Sequence, residues 1–383
     1  MRSQLTLVFA LLLFSQCGEA TQSADFSYDT DPTGKNIVQS DHLDFYIDTL
    51  ATGLQNPWGM EFLPDGRILI CERPGRLRVY QNNRLSPVPI ENLPEVWAHG
   101  QGGLLDVVIH PEYEQNGWIY LAYAAIGQGN NGNLAISRAR LEGNRLTDVE
   151  RIFHGQPHTS ARVHFGTRLV FDDEGYLFFS IGDRGNSSNA QKLDNHNGKV
   201  LRIYDDGSVP QDNPFVNTAG ALPEIWAYGS RNIQGMQIHP ETRVLWSHEH
   251  GPKGGDEINI IKKGANYAWP KATYGVNYNG TTITDKTSLE GTEDPVLHWT
   301  PSIAPCGMDF VTSEQYPGWK NNILVGALAG QHIHRVSLSG DEVDETEKIL
   351  QGFARFRAIV QGPDGYIYVL TEEPGLFLKI VSN

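Results

Sequence analysis

Residues 64–70 read Pro-Asp-Gly-Arg-Ile-Leu-Ile, and residues 363–369 read Pro-Asp-Gly-Tyr-Ile-Tyr-Val. Each is a turn followed at once by a short β-branched, aliphatic or aromatic run. Proline presets φ for the turn and glycine accepts the positive φ that other residues resist, so the chain reverses and enters a strand. The same unit occurs four times in between. Asn116-Gly117 precedes Ile119-Tyr120-Leu121, and Asp173-Glu174-Gly175 precedes Leu177-Phe178-Phe179. Pro240-Glu241-Thr242 precedes Val244-Leu245-Trp246, and Asn321-Asn322 precedes Ile323-Leu324-Val325. From first strand residue to first strand residue the intervals are 51, 58, 67, 79 and 44. Such a period holds several strands. It predicts an all-β fold, a six-bladed β-propeller of four-stranded antiparallel blades whose last blade closes on the first. The two longest intervals, the third and fourth, predict insertions at a rim. No stretch carries capped helical periodicity, and no linker separates the repeats as two sandwiches would require.

With 383 residues, 39% hydrophobic and 20% charged, the chain can build a large core and is not a disordered polymer. Its 30 Lys+Arg against 45 Asp+Glu give a net charge of −15, the wrong sign for a protein whose main partner is nucleic acid. Arg2, the apolar run Leu5 to Phe14 and the small residues of Gly18-Glu19-Ala20 read as an export signal over residues 1–20, too short to span a bilayer. Phe14-Ser15-Gln16-Cys17 leaves a second reading open, a lipoprotein signal with a lipid anchor on Cys17. Under either, the protein is exported, to the periplasm or beyond, and no later segment reaches membrane-spanning length. Residues 21–41 are polar and read as a flexible tether, and residues 42–383 as one catalytic propeller domain. Of the three cysteines only Cys71 and Cys306 follow the signal, and both are expected to be buried free thiols.

Polar residues gather where strands meet loops, the places a propeller offers to a ligand. His164 lies in Val-His-Phe-Gly-Thr-Arg, and Asp183 follows in Gly-Asp-Arg-Gly at the end of the next strand. A hairpin can bring the two together. A carboxylate behind an imidazole selects its tautomer and raises its basicity, as a general base requires, and a purely structural His–Asp bond fits the spacing equally. Arg231-Asn232 and the pair Arg355/Arg357 place guanidiniums at one rim of an acidic protein, which points to a planar, anionic ligand. Taken singly, each is more often a surface ion pair. The loop Glu249-His250-Gly251-Pro252-Lys253-Gly254-Gly255-Asp256-Glu257 offers carbonyls and carboxylates of the hard-oxygen type that suits Ca²⁺, or is an ordinary solvated turn.

Other patterns carry less. Gly127-Gln128-Gly129-Asn130-Asn131-Gly132 matches a dinucleotide fingerprint, but a strand-like run follows it instead of a helix, so it reads as a hairpin loop. His248/His250 and His332/His334 share strand faces without a third ligand at zinc spacing. Residues 341–347, with five carboxylates, read as a solvated turn.

Taken in order, the motifs resemble the soluble pyrroloquinoline quinone (PQQ) dependent sugar dehydrogenases, more closely the aldose sugar dehydrogenase branch than the soluble glucose dehydrogenase branch. The resemblance rests on Asn56-Pro57-Trp58-Gly59, Gly100-Gln101-Gly102-Gly103-Leu104-Leu105, His164-Phe165-Gly166, Gly182-Asp183-Arg184-Gly185 and Asn197-Gly198-Lys199-Val200-Leu201-Arg202. It continues through Arg231-Asn232-Ile233-Gln234-Gly235, His250-Gly251-Pro252, Pro301-Ser302-Ile303-Ala304-Pro305 and Arg355-Phe356-Arg357. It implies a six-bladed propeller that oxidises aldoses to lactones, with PQQ over the central channel and an external electron acceptor. It implies His164 as catalytic base and Asp183 as its orienting carboxylate. Gln101, Arg231, Asn232, Arg355 and Arg357 are implied as cofactor contacts, and the carbonyls of Gly251 and Pro252 as the Ca²⁺ site. The chain departs from the family at four points, one of them Val163, which precedes His164 where the glucose dehydrogenase branch has Asp. Ala358 stands where an Asp is common after the arginine pair, and residues 326–331 lack the lysine that the glucose dehydrogenase branch aims at the cofactor. His250 replaces a glutamine of that branch. Two other readings remain open on the repeat alone. A Ca²⁺-dependent propeller lactonase would need an axial metal held by carboxylates and no cationic cluster, and a non-catalytic propeller binding glycans or proteins would not need His164, Asp183 and the arginines together.

Overall fold

The computed structural model describes residues 29–30, 36–127 and 129–383. The expected export signal and Cys17 lie outside them. Among the described residues the helical content is one α-turn, Tyr113–Asn116, and one 3₁₀ turn, Ser187–Gln191. Six antiparallel sheets form the six blades of a β-propeller. In every blade the strand announced by the turn signal is the second one: Ile68–Glu72, Trp118–Ile126, Leu177–Ile181, Leu245–Glu249, Ile323–Ala327 and Ile367–Thr371. These strands are covered on both faces by neighbouring blades, and five of the six are buried at every residue, which is why they are the strongest apolar runs in the sequence.

The first strand of each blade lines the axis: Pro57–Phe62, Leu104–Ile109, Leu169–Phe171, Ile233–Ile238, Pro305–Phe310 and Phe356–Gln361. Ring closure mixes the termini. Leu376–Ser382 from the end of the chain pairs with Phe45–Thr52 from its beginning, from Leu376↔Thr52 to Ser382↔Phe45 with one register shift after Phe377. Phe45 is fully buried there, edge-on to Trp319 at 5.7 Å. The expected tether ends earlier than residue 41, because Asn36–Val38 adds a further strand outside Phe45–Thr52 and Val38 is buried against the same cluster. Polar composition hid it, since Val38 is its one buried residue.

The long intervals hold excursions, as expected. The largest, residues 262–296, leaves Asp256–Ile261 and returns at Leu297–Trp299. On the way it crosses to the rim where the first strands begin, and there Lys253 bridges to Val276. Trp118–Ile126 and Gly132–Glu142, on either side of the glycine-rich stretch, pair antiparallel as a hairpin. The acidic run is not a turn but most of an outer strand, Glu342–Ile349. Alternation puts Glu345 and Glu347 on one side, where both accept hydrogen bonds from Arg335, a fully buried guanidinium, at 2.5 and 2.8 Å. Cys71 and Cys306 are both buried and free. No helix among the described residues is long and apolar enough to cross a membrane.

One irregularity recurs. In blades one, two, four, five and six the first strand carries a register shift against the second near its starting end. A bulge leaves residues without a ladder partner and re-aims their side chains. Trp58, Gln234 and Arg357 are residues skipped in this way. All three turn into a groove at that end of the axis. The channel's far end opens into a second cavity of about 300 Å³ lined by Glu61, Gln237, Asp309 and Gln361. Arg168 separates the two. It donates to the carbonyls of Trp58 and Arg357 at 3.3 and 2.9 Å and to Asp106 Oδ1 at 3.4 Å.

Candidate active site

The groove has a volume of about 350 Å³. Its lining includes Gln101, Asn232, Arg355 and Arg357 from the sequence expectation, together with Trp58, Arg73, Gln234, His250, Leu328 and Glu372. Three guanidiniums (Arg73, Arg355, Arg357) therefore face one carboxylate. Arg355 Nη2 and Arg357 Nη2 both donate to Glu372 Oε2, at 3.2 and 3.0 Å. Burial opposes the charge of Glu372, but Arg357 and Arg355 outweigh it and hold the carboxyl below its usual range. In the blade-five stretch without a lysine, Leu328 reaches the groove and its carbonyl accepts from Arg355 Nη1 at 3.2 Å. Arg357 is 8% exposed, and its Nε has no hydrogen-bond partner among the described residues. A buried N–H left open in this way is a place waiting for an acceptor.

His164 stands at the groove's edge, beside the lining residues Phe165 and Gly166. Its Nδ1–H donates to Asp183 Oδ1 at 2.6 Å. The backbone around it is pinned from several sides. Its N–H donates to Gln101 Oε1 at 2.8 Å, and Arg184 donates to the carbonyls of Val163 and of Ala161, the latter at 2.5 Å. Arg184 also covers the Phe165 ring at 3.4 Å, and burial pushes its guanidinium down to about 9. These anchors hold His164 at φ 52°, a left-handed conformation that a histidine adopts only when its surroundings enforce it. Gly182, just before Asp183, is needed for the approach, because a Cβ there would lie 2.5 Å from the His164 carbonyl and 2.7 Å from Asn232 Oδ1. Asn232 in turn accepts from Gly166 N–H at 3.2 Å.

Asp183 is 1% exposed. Oδ1 also accepts from Gly185 N–H at 2.8 Å, and Oδ2 accepts from the Trp269 indole at 2.9 Å. Burial works against its charge, yet the His164 hydrogen bond and charge, the indole and Arg231 outweigh it and keep the carboxyl ionised below its ordinary value. With Nδ1 donating to a carboxylate, the neutral imidazole carries its lone pair on Nε2, and no partner for that atom occurs among the described residues.

Arg231 turns away from the open groove. Its Nη1 donates to the carbonyls of His250 and Gly251 at 3.0 and 2.8 Å. Burial, and then Arg231, hold His250 well below its ordinary value, so its ring is neutral, and Nε2–H donates to the Pro305 carbonyl at 2.8 Å. His248 fills the space a side chain on Gly235 would need. His332 and His334 form a buried pair, 3.3 Å apart. Glu249 and Glu257 face each other in register across their strands, and burial pushes both carboxyls well above their ordinary value. No group of three His, Cys, Asp or Glu among the described residues is arranged to hold a metal.

A family model described as Glucose / Sorbosone dehydrogenase matches residues 54–379, all six blades. The chain belongs to that family. Within this glucose/sorbosone dehydrogenase family it is 44% identical to the aldose sugar dehydrogenase YliI of Escherichia coli, over 87% of this chain and 92% of that one. It superposes on the crystal structure of the soluble aldose sugar dehydrogenase from E. coli in the apo-form with a TM-score of 0.86, at 42% identity, covering 88% and 100% of the two chains. The PQQ-bound form of aldose sugar dehydrogenase from Streptomyces coelicolor gives a TM-score of 0.73 at 25% identity, covering 88% and 98%. The aldose branch of the family is the one its motifs resemble. Trp58, Arg73, Trp269 and Glu372 were given no role by sequence reasoning. Trp58 alone had a signal, as part of the Asn-Pro-Trp-Gly motif.

Proposed function

We propose that this protein oxidises the anomeric hydroxyl of aldoses to lactones with PQQ as its cofactor, His164 acting as the general base. The observation that carries this is the 2.6 Å contact of His164 Nδ1 with Asp183 Oδ1 at the edge of an arginine-lined groove. PQQ is a planar quinone bearing three carboxylates. A groove of about 350 Å³ with three guanidiniums and an unpartnered Arg357 Nε suits such an anion. Arg355, Arg357, Gln101 and Asn232 would hold it, with Arg73 beside them in the lining. When bound, the quinone supplies a two-electron oxidant that takes up the anomeric hydrogen. His164 Nε2 receives the hydroxyl proton, and Asp183 stabilises the imidazolium that forms, so removal of the proton is matched to a base held in one tautomer. The groove cations offset negative charge that builds as electrons arrive.

Gly251 and Pro252 offer carbonyls of the type calcium takes, but the Gly251 oxygen already accepts from Arg231 Nη1 at 2.8 Å. That carbonyl keeps a second lone pair, and no guanidinium bond among the described residues engages the Pro252 oxygen, so these two carbonyls would hold Ca²⁺ beside Arg231, where it would supply a Lewis acid. Export to the periplasm or beyond, and an external electron acceptor, belong to the same proposal.

The test is reconstitution. Purified protein with added PQQ, with and without Ca²⁺, is expected to reduce a dye on addition of aldoses and to bind PQQ with a spectral change. If PQQ produces neither a spectral change nor turnover with any aldose, the proposal fails.

A further inference from the structure

Trp269 lies in none of the motifs. It arrives on the long excursion of residues 262–296, where its N–H donates to the Gly229 carbonyl at 2.9 Å and its carbonyl accepts from Gln191 Nε2 at 2.9 Å. The backbone is thereby tied to the junction of blades three and four. Its indole Nε1–H is the donor to Asp183 Oδ2, at 2.9 Å, while Oδ1 is taken by His164 and Gly185. Its ring lies 5.4 Å from the Arg231 guanidinium. The other charged groups that act on Asp183 are Arg231, Arg184, Lys199 and Glu249. None of these donates a side-chain hydrogen bond to it.

We propose that Trp269 is a positioning residue: it fixes the second oxygen of Asp183, and through it the plane and tautomer of His164, while stacking against the guanidinium of Arg231. A carboxylate bonded at one oxygen only can rotate about its last bond, and in a dry site that rotation shifts the imidazole it holds. A donor on the second oxygen removes this freedom and spreads the negative charge over both oxygens. The indole couples the proton-accepting pair to a neighbouring guanidinium. This rests on the reading of His164 as base.

Trp269→Phe keeps a ring against Arg231 and deletes the N–H. In PQQ-loaded protein kcat is expected to fall about 10- to 150-fold, the worth of one hydrogen bond to a charged group. The aldose KM and the PQQ affinity measured by binding titration are expected to stay within about twofold, because the stacking is retained. The acid limb of the kcat/KM profile is expected to move up by about half a pH unit, because a carboxylate with one donor fewer pulls harder on Nδ1–H. Trp269→His, which restores a ring N–H, is expected to recover part of both effects. A Phe variant with unaltered kcat and an unmoved acid limb overturns the proposal. Should the variants not fold, NMR of the wild-type protein without cofactor decides. The Trp269 indole proton is expected to shift as the His164–Asp183 pair titrates, and an indole signal that stays flat through that titration overturns it. If the wild-type protein oxidises no aldose, the dehydrogenase reading falls, and the indole measurement still decides whether Trp269 holds Asp183.

Discussion

Asp183→Asn keeps the shape of a side chain and changes its hydrogen-bond arithmetic. Asp183 accepts three hydrogen bonds, from His164 Nδ1–H at 2.6 Å, Gly185 N–H at 2.8 Å and Trp269 Nε1–H at 2.9 Å. An amide has one accepting oxygen and an NH₂ that must point at one of those donors. If the NH₂ faces Trp269, two N–H groups oppose each other in a site only 1% exposed, and one buried donor goes unmet at a cost of about 1–3 kcal/mol. If it faces His164, it donates to Nδ1 and forces the ring proton onto Nε2, which then has no lone pair for the substrate. Both outcomes also remove the charge that steadies the imidazolium. Turnover of PQQ-loaded Asp183→Asn at saturating aldose is expected to drop about 10²- to 10⁴-fold, equivalent to about 3–5 kcal/mol of barrier. PQQ affinity should change little, since Asp183 does not line the groove. The measurement is steady-state dye reduction alongside a PQQ binding titration. A kcat within about threefold of wild type, on the order of 0.6 kcal/mol, would refute the assignment of His164 and Asp183 as an oriented base.

Three further outcomes follow from contacts in and below the groove. Arg357→Ala removes a guanidinium bonded to Glu372 at 3.0 Å, and PQQ affinity is expected to weaken about 10- to 100-fold with the aldose KM little altered; unchanged PQQ affinity would remove Arg357 from the cofactor site. Glu372→Gln frees Arg355 and Arg357 from their shared carboxylate, so the cofactor-free protein should melt lower while PQQ binds about as tightly or up to about tenfold tighter, and a large loss of affinity would argue against competition between Glu372 and the cofactor. Glu61, at the far end of the channel, is pushed by burial from 4.5 to about 7, so the folded protein holds a proton that the unfolded chain releases between those values. Stability is therefore expected to fall as pH rises from about 4.5 to about 7, by about 3 kcal/mol at most, with a smaller fall in Glu61→Gln. Urea midpoints across that range test this, and equal slopes in the two proteins would sink it.

What could be read beforehand is what local sequence encodes. A turn signal and a doubly covered second strand lie within a dozen residues, and burial on both faces forces the apolar run that makes them visible. The pairing of His164 with Asp183 was within reach for the same reason, as the two flank one hairpin. The remaining site residues depend on geometry that no short window carries. Trp58, Gln234 and Arg357 enter the groove because bulges break the two-residue period at the starts of the first strands, and a period-2 reading cannot assign the side chain of a skipped residue. Trp269 comes from an excursion whose path is set by contacts with blade three. The acidic strand Glu342–Ile349 was misread because its partner, Arg335, is buried on a neighbouring strand.

Blade six joins these two kinds of information. It carries Arg355, Arg357 and Glu372, the cationic wall of the groove with its one counter-charge, and it is also the blade whose outer strand, Phe45–Thr52, comes from the other end of the chain. Arg357 is placed by a bulge against Ile367–Thr371, and that strand is held in turn by Leu376–Ser382, which pairs with Phe45–Thr52. The groove's charge arrangement is therefore built on the same ladder of hydrogen bonds that closes the ring. A propeller with an unpaired last blade would keep every residue of its cofactor-binding motifs and still lose the register that aims Arg357 beside Glu372. That dependence explains how a chain whose first and last blades both announce their second strand with Pro-Asp-Gly can assemble one asymmetric site from six similar blades.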